Sequence, residues 1–305
     1  MPHDHHHAHA PVADGGKALI LATLLTLAFA GVEATVGLWA VSLALVADAG
    51  HMLNDAAALG LAAAAAWLAR RTASSRHSYG LGRAEFLAAL INSAALLLLV
   101  AWLVVSAIER LQTPHAVHGL AVSVTAALGL ALNLFVAWML ARGAKTLNTS
   151  AALLHVLGDL LGSVAALLSG LVIALTAWTP IDPLLSLLIG ALILVSSLRL
   201  LREAVHGLME GVPYGTDLPE VGRALASVPG VASVHDLHIW AVKSDLPVLT
   251  AHLIVRDLAD WEGVLERSHA MIRERFGITH VTLQPEPIER RVHWTPGSIR
   301  TKEPT

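Results

Sequence analysis

Apolar residues come in long blocks over the first two thirds of the chain and in short alternating runs over the last third. A helix that crosses a bilayer needs roughly 20 mostly apolar residues. Six stretches reach that length: 18–40, 41–68, 84–108, 120–141, 149–178 and 183–201. The first two are nearly continuous, so a turn is expected around residues 39–42. The fifth and sixth are separated by Thr179-Pro180-Ile181-Asp182-Pro183, a strong helix breaker.

The period changes after Gly207. Residues 216–227 are predicted to form a helix, with Thr216 or Asp217 as N-cap and Pro219 in its first turn. Residues 231–242 alternate as a strand, which would place Val231, Ser233, His235, Leu237, Ile239 and Ala241 on one face. A second strand is predicted over 248–255, a helix over 260–276 ended by Gly277, and a third strand over 281–284. The order α-β-β-α-β suggests a small two-layer domain with its helices on one face of the sheet. The division expected is a His-rich disordered segment over 1–16, a six-helix membrane domain over 17–206, an α+β domain over 207–290 and a disordered tail over 291–305.

Composition sharpens this division. Only 14% of the 305 residues are charged, against about a quarter in a soluble domain. Residues 1–203 hold 20 of the charged side chains and residues 206–305 hold 23, so the deficit belongs to the first part. An ordinary soluble enzyme is excluded. The net charge of −3 carries no nucleic-acid footprint. Lys17, Arg70, Arg71, Arg76, Arg83, Arg142, Lys145, Arg199 and Arg202 fall on one set of connections, and Arg110 alone on the other. The positive-inside rule makes the first set cytoplasmic. An even number of spans then leaves both termini in the cytoplasm. The polar N-terminus has no signal-peptide pattern.

There are 17 histidines and no cysteine. Metal chemistry here must use imidazole and carboxylate, a donor set that suits Zn2+ and similar borderline ions. Two predicted spans carry the same pattern: His51-Met52-Leu53-Asn54-Asp55 and His155-Val156-Leu157-Gly158-Asp159. On a helix, positions i and i+4 share a face. Each helix therefore presents an imidazole with a carboxylate, and two facing helices supply two nitrogens and two oxygens, a tetrahedral set for Zn2+. At a rise of about 1.5 Å per residue, Asp55 and Asp159 lie about 22 and 18 Å from helix ends near Arg70 and Leu147, close to the bilayer middle. A lone intramembrane histidine is often a hydrogen-bonded packing residue. A charged aspartate at the bilayer centre costs roughly 2.5–3.5 kcal/mol and marks function by default.

Asp48, one turn before His51, and Glu33, in the first span, suit either an ion path or a hydrogen-bonded support for the ligands. Asn54 and Asn133 read as interhelical hydrogen-bonders, with Asn54 also a candidate for lining the path. The N-terminal run of His3, His5, His6, His7 and His9 is compositionally metal-binding. Its interruptions by Asp4 and Ala8 argue for a natural ion collector over a purification tag.

The chain resembles the cation diffusion facilitator family, within it the zinc-type branch. The matching stretches are residues 47–55, His77-Ser78-Tyr79-Gly80-Leu81-Gly82-Arg83-Ala84-Glu85, residues 155–159, Asp182-Pro183, and Val234-His235-Asp236-Leu237-His238-Ile239-Trp240. The resemblance implies an α-helical membrane protein, six transmembrane helices followed by a ferredoxin-like α+β cytoplasmic domain. It implies a homodimer in a bacterial inner membrane that exchanges cytoplasmic divalent metal for external protons by alternating access. His51, Asp55, His155 and Asp159 would be the transport site, with Zn2+ preferred and Cd2+ or Co2+ as further substrates. Positions matching a regulatory metal site of the cytoplasmic domain are His235, His252, His269 and Glu286; solvated surface histidines are the alternative. Gln284 stands where some members have histidine. A loop metal site found in some members has His77 but Leu81 in place of a ligand, so none is predicted there. Arg83 is expected to pair with an acid such as Glu210 where the two domains join.

Two rival readings remain at this point. An intramembrane zinc metalloenzyme would need an open metal position, and four protein ligands would close it. A non-transporting metal sensor, or a proton channel built on the same polar cavity, would keep the residues and lose the coupling.

Overall fold

The computed structural model describes residues 13–142 and 147–288. The side chains of residues 13–20, 147–152, 154, 155 and 157 fall outside that description. The N-terminal histidines His3, His5, His6, His7 and His9 and the expected tail over 291–305 lie outside the described residues.

Among the described residues, six helices are long and apolar enough to cross a membrane: α1 Ala13–Trp39, α2 Leu43–Ala69, α3 Ala84–Gln112, α4 Gly119–Arg142, α5 Leu147–Thr176 and α6 Ile181–Leu208. They coincide with the six predicted stretches. Their shared core is built from small and branched residues: Ala44, Leu45 and Ala47 of α2, Leu96, Val100 and Leu103 of α3, Val122 and Ala126 of α4, Ala165 and Ala166 of α5, and Ile189 and Ile193 of α6. Large apolar side chains such as Leu98, Leu120, Leu175 and Val195 remain exposed. Exposure on that scale is abnormal for a water-soluble surface and normal where lipid covers it. Helices α4 and α5 touch backbone to backbone at Gly119 and Gly170, where a Cβ on either would meet main-chain atoms of the other helix. Small residues allow such approach in membranes, where no hydrophobic driving force joins helices.

The turn between α1 and α2 is tighter than its sequence suggests. Val41 has φ +57°, a left-handed conformation that is strained for a β-branched residue. The strain is held by polar contacts. Asp182 is fully buried and accepts from Ser42 Oγ at 2.6 Å, from the Leu43 and Ala44 amides at 2.6 and 3.4 Å, and from Ser169 Oγ at 3.1 Å. Arg110 donates to the Val41 carbonyl at 2.6 Å and lies 3.7 Å from Asp182. The first amides of a helix have no intrahelical acceptor, so Asp182 caps α2 from another helix. The breaker around Pro180 and Pro183 is therefore also a helix start. Pro183 sits in the first turn of α6, where its missing N–H costs nothing.

The chain divides into two compact units, residues 1–65 with 88–203, and residues 66–87 with 204–305. The second contains α7 Leu218–Ala226, β1 Val231–Lys243, β2 Leu246–Val255, a short 3-10 turn Leu258–Asp260, α8 Trp261–Phe276 and β3 His280–Pro287. Asp217 caps α7 by accepting from the Glu220 amide, and Gly277 ends α8 in the left-handed region. β1 and β2 pair antiparallel, and β2 and β3 pair parallel across the α8 crossover. Val221 and Leu225 of α7 and Val264 and Ile272 of α8 pack with Leu249, Ala251, Leu253 and Val255, so both helices cover one sheet face.

One prediction fails inside β1. Its register slips between Val231 and Ser233, between His235 and His238, and between Ala241 and Lys243. Each slip is a bulge, and an extra residue reverses which face the following side chains take. Val231 and Ile239 point into the helix-covered core, whereas Ser233 and His235 belong to the opposite, open face with His252. The single face predicted for Val231 through Ala241 is thus two faces.

Candidate metal-transport site

His51 and Asp55 lie one turn apart on α2, with His51 Nδ1 3.4 Å from Asp55 Oδ2. Asp159 projects from α5 and is almost fully buried. One ligand atom from each of His51, Asp55 and Asp159 falls within 4.8 Å of the others. Two helices that are distant in sequence thus bring together three of the four expected residues. His155 occupies α5 one turn before Asp159; its side chain lies outside the described residues. Ligand atoms around a tetrahedral Zn2+ with bonds near 2.0–2.1 Å stand roughly 3.3 Å apart. Modest contraction of this group would therefore enclose an ion.

A buried polar layer lies beside the three. Asp48 is 2% exposed and accepts from Ser163 Oγ at 3.5 Å. Ser163 accepts in turn from Asn133 Nδ2 at 3.2 Å. Gly162 makes this possible, since a Cβ there would fall on the Asp48 carboxylate. Glu33 is fully buried against Gly129 of α4. Asn133 behaves as the interhelical hydrogen-bonder expected. Asn54 donates to Asn92 Oδ1 at 2.8 Å, which ties α2 to α3. Ser163 and Asn92 were missed in the sequence. Ser163 was findable, because it lies four residues after Asp159 and so on the same helix face.

A second cluster lies on the open face of the three-stranded sheet. Glu286 Oε1 accepts from His252 Nδ1 at 2.8 Å and Glu286 Oε2 from His235 Nε2 at 3.0 Å. The two imidazole rings are 5.2 Å apart. These hydrogen bonds, from His252 first and then His235, hold the Glu286 carboxyl below the usual carboxylate range. Asp236, not anticipated, stands 3.4 Å from His235 Nδ1 and groups with His235 and His252 within 4.8 Å. It sits at a bulge with φ +48°, so adjacent residues serve one cluster, which strict alternation forbids. His269 does not join them within one chain. It is exposed on α8, a helix whose buried positions Val264, Ser268 and Ile272 pack on the other sheet face.

Arg83 and Glu210 form the expected ion pair, at 2.5 Å. Around it, Glu85 accepts from the Ser244 amide at 3.1 Å, and Gly82 lies against the Val242 carbonyl.

Two family models match the chain, the cation efflux transmembrane domain over residues 19–209 and the cation efflux protein cytoplasmic domain over residues 213–288. The chain is 41% identical over 291 residues to the zinc transporter ZitB of Escherichia coli, covering 94% of this chain and 93% of that one. It is 36% identical to a cadmium, cobalt and zinc/H(+)-K(+) antiporter of Bacillus velezensis, covering 94% and 92%. It is 38% identical to the metal cation efflux system protein CzcD of Cupriavidus metallidurans, covering 92% and 89%. A solved structure of the metal-bound C-terminal domain of that CzcD transporter covers 23% of this chain and 99% of its own at 44% identity, with a TM-score of 0.22.

Proposed function

The chain belongs to the cation efflux family, the cation diffusion facilitators, and from that premise we propose that it exports divalent metal cations, Zn2+ foremost, from the cytoplasm in exchange for protons. It is a multi-pass membrane transporter and not an enzyme. The observation that carries the reading is the convergence of His51, Asp55 and Asp159 within 4.8 Å, inside helices long enough to span a bilayer. His155, four residues before Asp159 in the sequence, is the fourth proposed ligand. Relatives named for cadmium, cobalt and zinc make Cd2+ and Co2+ further candidate substrates.

The exchange follows from the donors. Metal binding needs neutral imidazole and ionised carboxylate, so protons compete with it. Each ligand that loses the metal can take up a proton, so a proton gradient shifts the occupancy of the site. Metal loads from the cytoplasm, the helices expose it outward, and external protons displace it. The Lys- and Arg-rich connections support a reading with both termini in the cytoplasm, and the bacterial relatives support an inner membrane. The working unit is a homodimer. His235, His252 and Glu286, with Asp236, form a regulatory metal site, and the N-terminal histidines collect ions.

The test is zinc uptake into proteoliposomes holding a trapped pH indicator. Wild type should move zinc with a counterflow of protons, and Asp159→Ala and His155→Ala should each lower zinc flux by about 100-fold or more, the effect of losing a ligand interaction worth near 3 kcal/mol. Zinc flux indifferent to the pH gradient, or undiminished in both variants, would falsify the reading. Zinc binding without transport would make the protein a sensor.

A further inference from the structure

Glu33 lies in α1 and is fully buried, yet neither oxygen of its carboxyl has a hydrogen-bond partner among the described residues. Phe29, one turn earlier on α1, and Gly129 of α4 form its walls; a Cβ on Gly129 would stand 2.8 Å from Glu33 Oε1. The charged groups acting on it are Asp48 of α2 and Asp159 of α5. α4 carries no titratable side chain except Arg142 at its end. Three acids therefore share one interior, and the basic group beside them among the described residues is the imidazole of His51, itself a member of the metal set. An ionised carboxylate there, lacking donors, is costly, and neighbouring carboxylates do not all ionise without a cation. Two of the three have a hydrogen-bond partner or a proposed role. Asp159 belongs to the metal set, and Asp48 is supported by Ser163 and, behind it, Asn133. Glu33 has no such support.

We propose that Glu33 is a proton-binding site of the exchange cycle, separate from the metal ligands. It holds a proton while the metal site is empty and gives it up when a divalent cation fills that site. The inference rests on the antiport reading above. The coupling is electrostatic: a bound Zn2+ compensates the charge of Asp159, and in a low-dielectric interior that change is felt by Glu33. The carboxyl O–H bond breaks, its electron pair stays on the carboxylate, and the proton leaves to the cytoplasmic water from which the metal came. After the metal is released outward, an external proton restores the O–H bond. Nothing is oxidised or reduced.

The experiment counts protons released per Zn2+ bound by the purified full-length protein in weak buffer, for wild type, Glu33→Gln and Glu33→Asp. Glu33→Gln should still bind zinc and release one proton fewer, and Glu33→Asp should restore the wild-type count. In proteoliposomes, zinc flux in Glu33→Gln should lose part of its dependence on the pH gradient. An unchanged proton count and gradient dependence in Glu33→Gln overturns the proposal while leaving antiport intact. Wild type that moves zinc with no proton counterflow sinks the antiport reading itself. Should Glu33→Gln fail to fold, wild type carrying carboxyl-labelled glutamate decides the matter by infrared difference spectroscopy. Zinc should abolish a protonated-carboxyl C=O band that shifts with the label, and a spectrum without that band overturns the proposal.

Discussion

Gly162 contributes no side chain, and its value lies in the space it leaves for Asp48. Gly162→Ala would push that carboxylate off Ser163 without touching a proposed ligand. Overpacking of this kind costs typically 1–3 kcal/mol, so zinc flux should fall by about 10-fold or more while zinc affinity changes less. Uptake and calorimetric titration of one preparation separate the two, and an unchanged flux would show that the Asp48 position is immaterial. Glu286 makes the complementary case outside the membrane. A carboxylate held below its ordinary value stabilises the fold while ionised, so its contribution is complete at neutral pH and fades as pH falls below the ordinary glutamate value of 4.5. In metal-free protein, hydrogen exchange of β1 and β2 amides should accelerate on that acid side, and Glu286→Gln should flatten the dependence; parallel profiles would refute it. Much of this was legible in the sequence at the level of pairs. His51 with Asp55 could be read because four residues make one helical turn. Asp236 could not, because its place in the cluster comes from a bulge, and alternation assumes there is none. The separation of His269 from this cluster within one chain could not be read without knowing which sheet face α8 covers.

At the scale of elements, one residue joins four helices and the turn that leads into one of them. Asp182 opens α6, caps the first amides of α2, accepts from Ser169 of α5, and lies beside Arg110 of α3, which also holds the strained Val41 carbonyl. Arg110, the one basic residue against the positive-inside bias, is accounted for by this pairing. Removing one partner of a buried charged set leaves the others unsatisfied, typically at 3–5 kcal/mol. Asp182→Ala should therefore melt well below wild type in detergent, and Asp182→Asn, which keeps an acceptor oxygen, should fall between them. An unchanged melting midpoint in Asp182→Ala would show that water replaces the cap freely. The sequence named these residues only as a breaker and an exception. Their chemistry depends on contacts 140 residues apart, which no local pattern encodes.

At the scale of the whole molecule, the second compact unit draws on two separated stretches of chain, residues 66–87 and 204–305. The connection from α2 to α3 is clasped there by four contacts: Gly82 against Val242, Glu85 with Ser244, Arg83 with Glu210, and Phe86 in the space that Gly207 leaves. The Arg83–Glu210 pair is exposed, and such pairs contribute about 0.2–1 kcal/mol, so charge alone does not hold the clasp. Close approach and hydrogen bonding carry the rest. Arg83→Glu should accordingly loosen the clasp slightly, and Arg83→Glu with Glu210→Arg should restore it. Ending the chain after Leu208 should do far more, because it deprives Gly82, Arg83 and Glu85 of their partners at once. The connection contains Arg70, Arg71, Arg76 and Arg83, so trypsin reports its state. A backbone that has lost its contacts opens locally, and cleavage tracks the population of the open form. Trypsin should cut the truncated protein between α2 and α3 much faster than the full chain, with the single charge reversal close to wild type. Equal cutting of truncated and full-length protein would mean that the connection is held without the C-terminal domain.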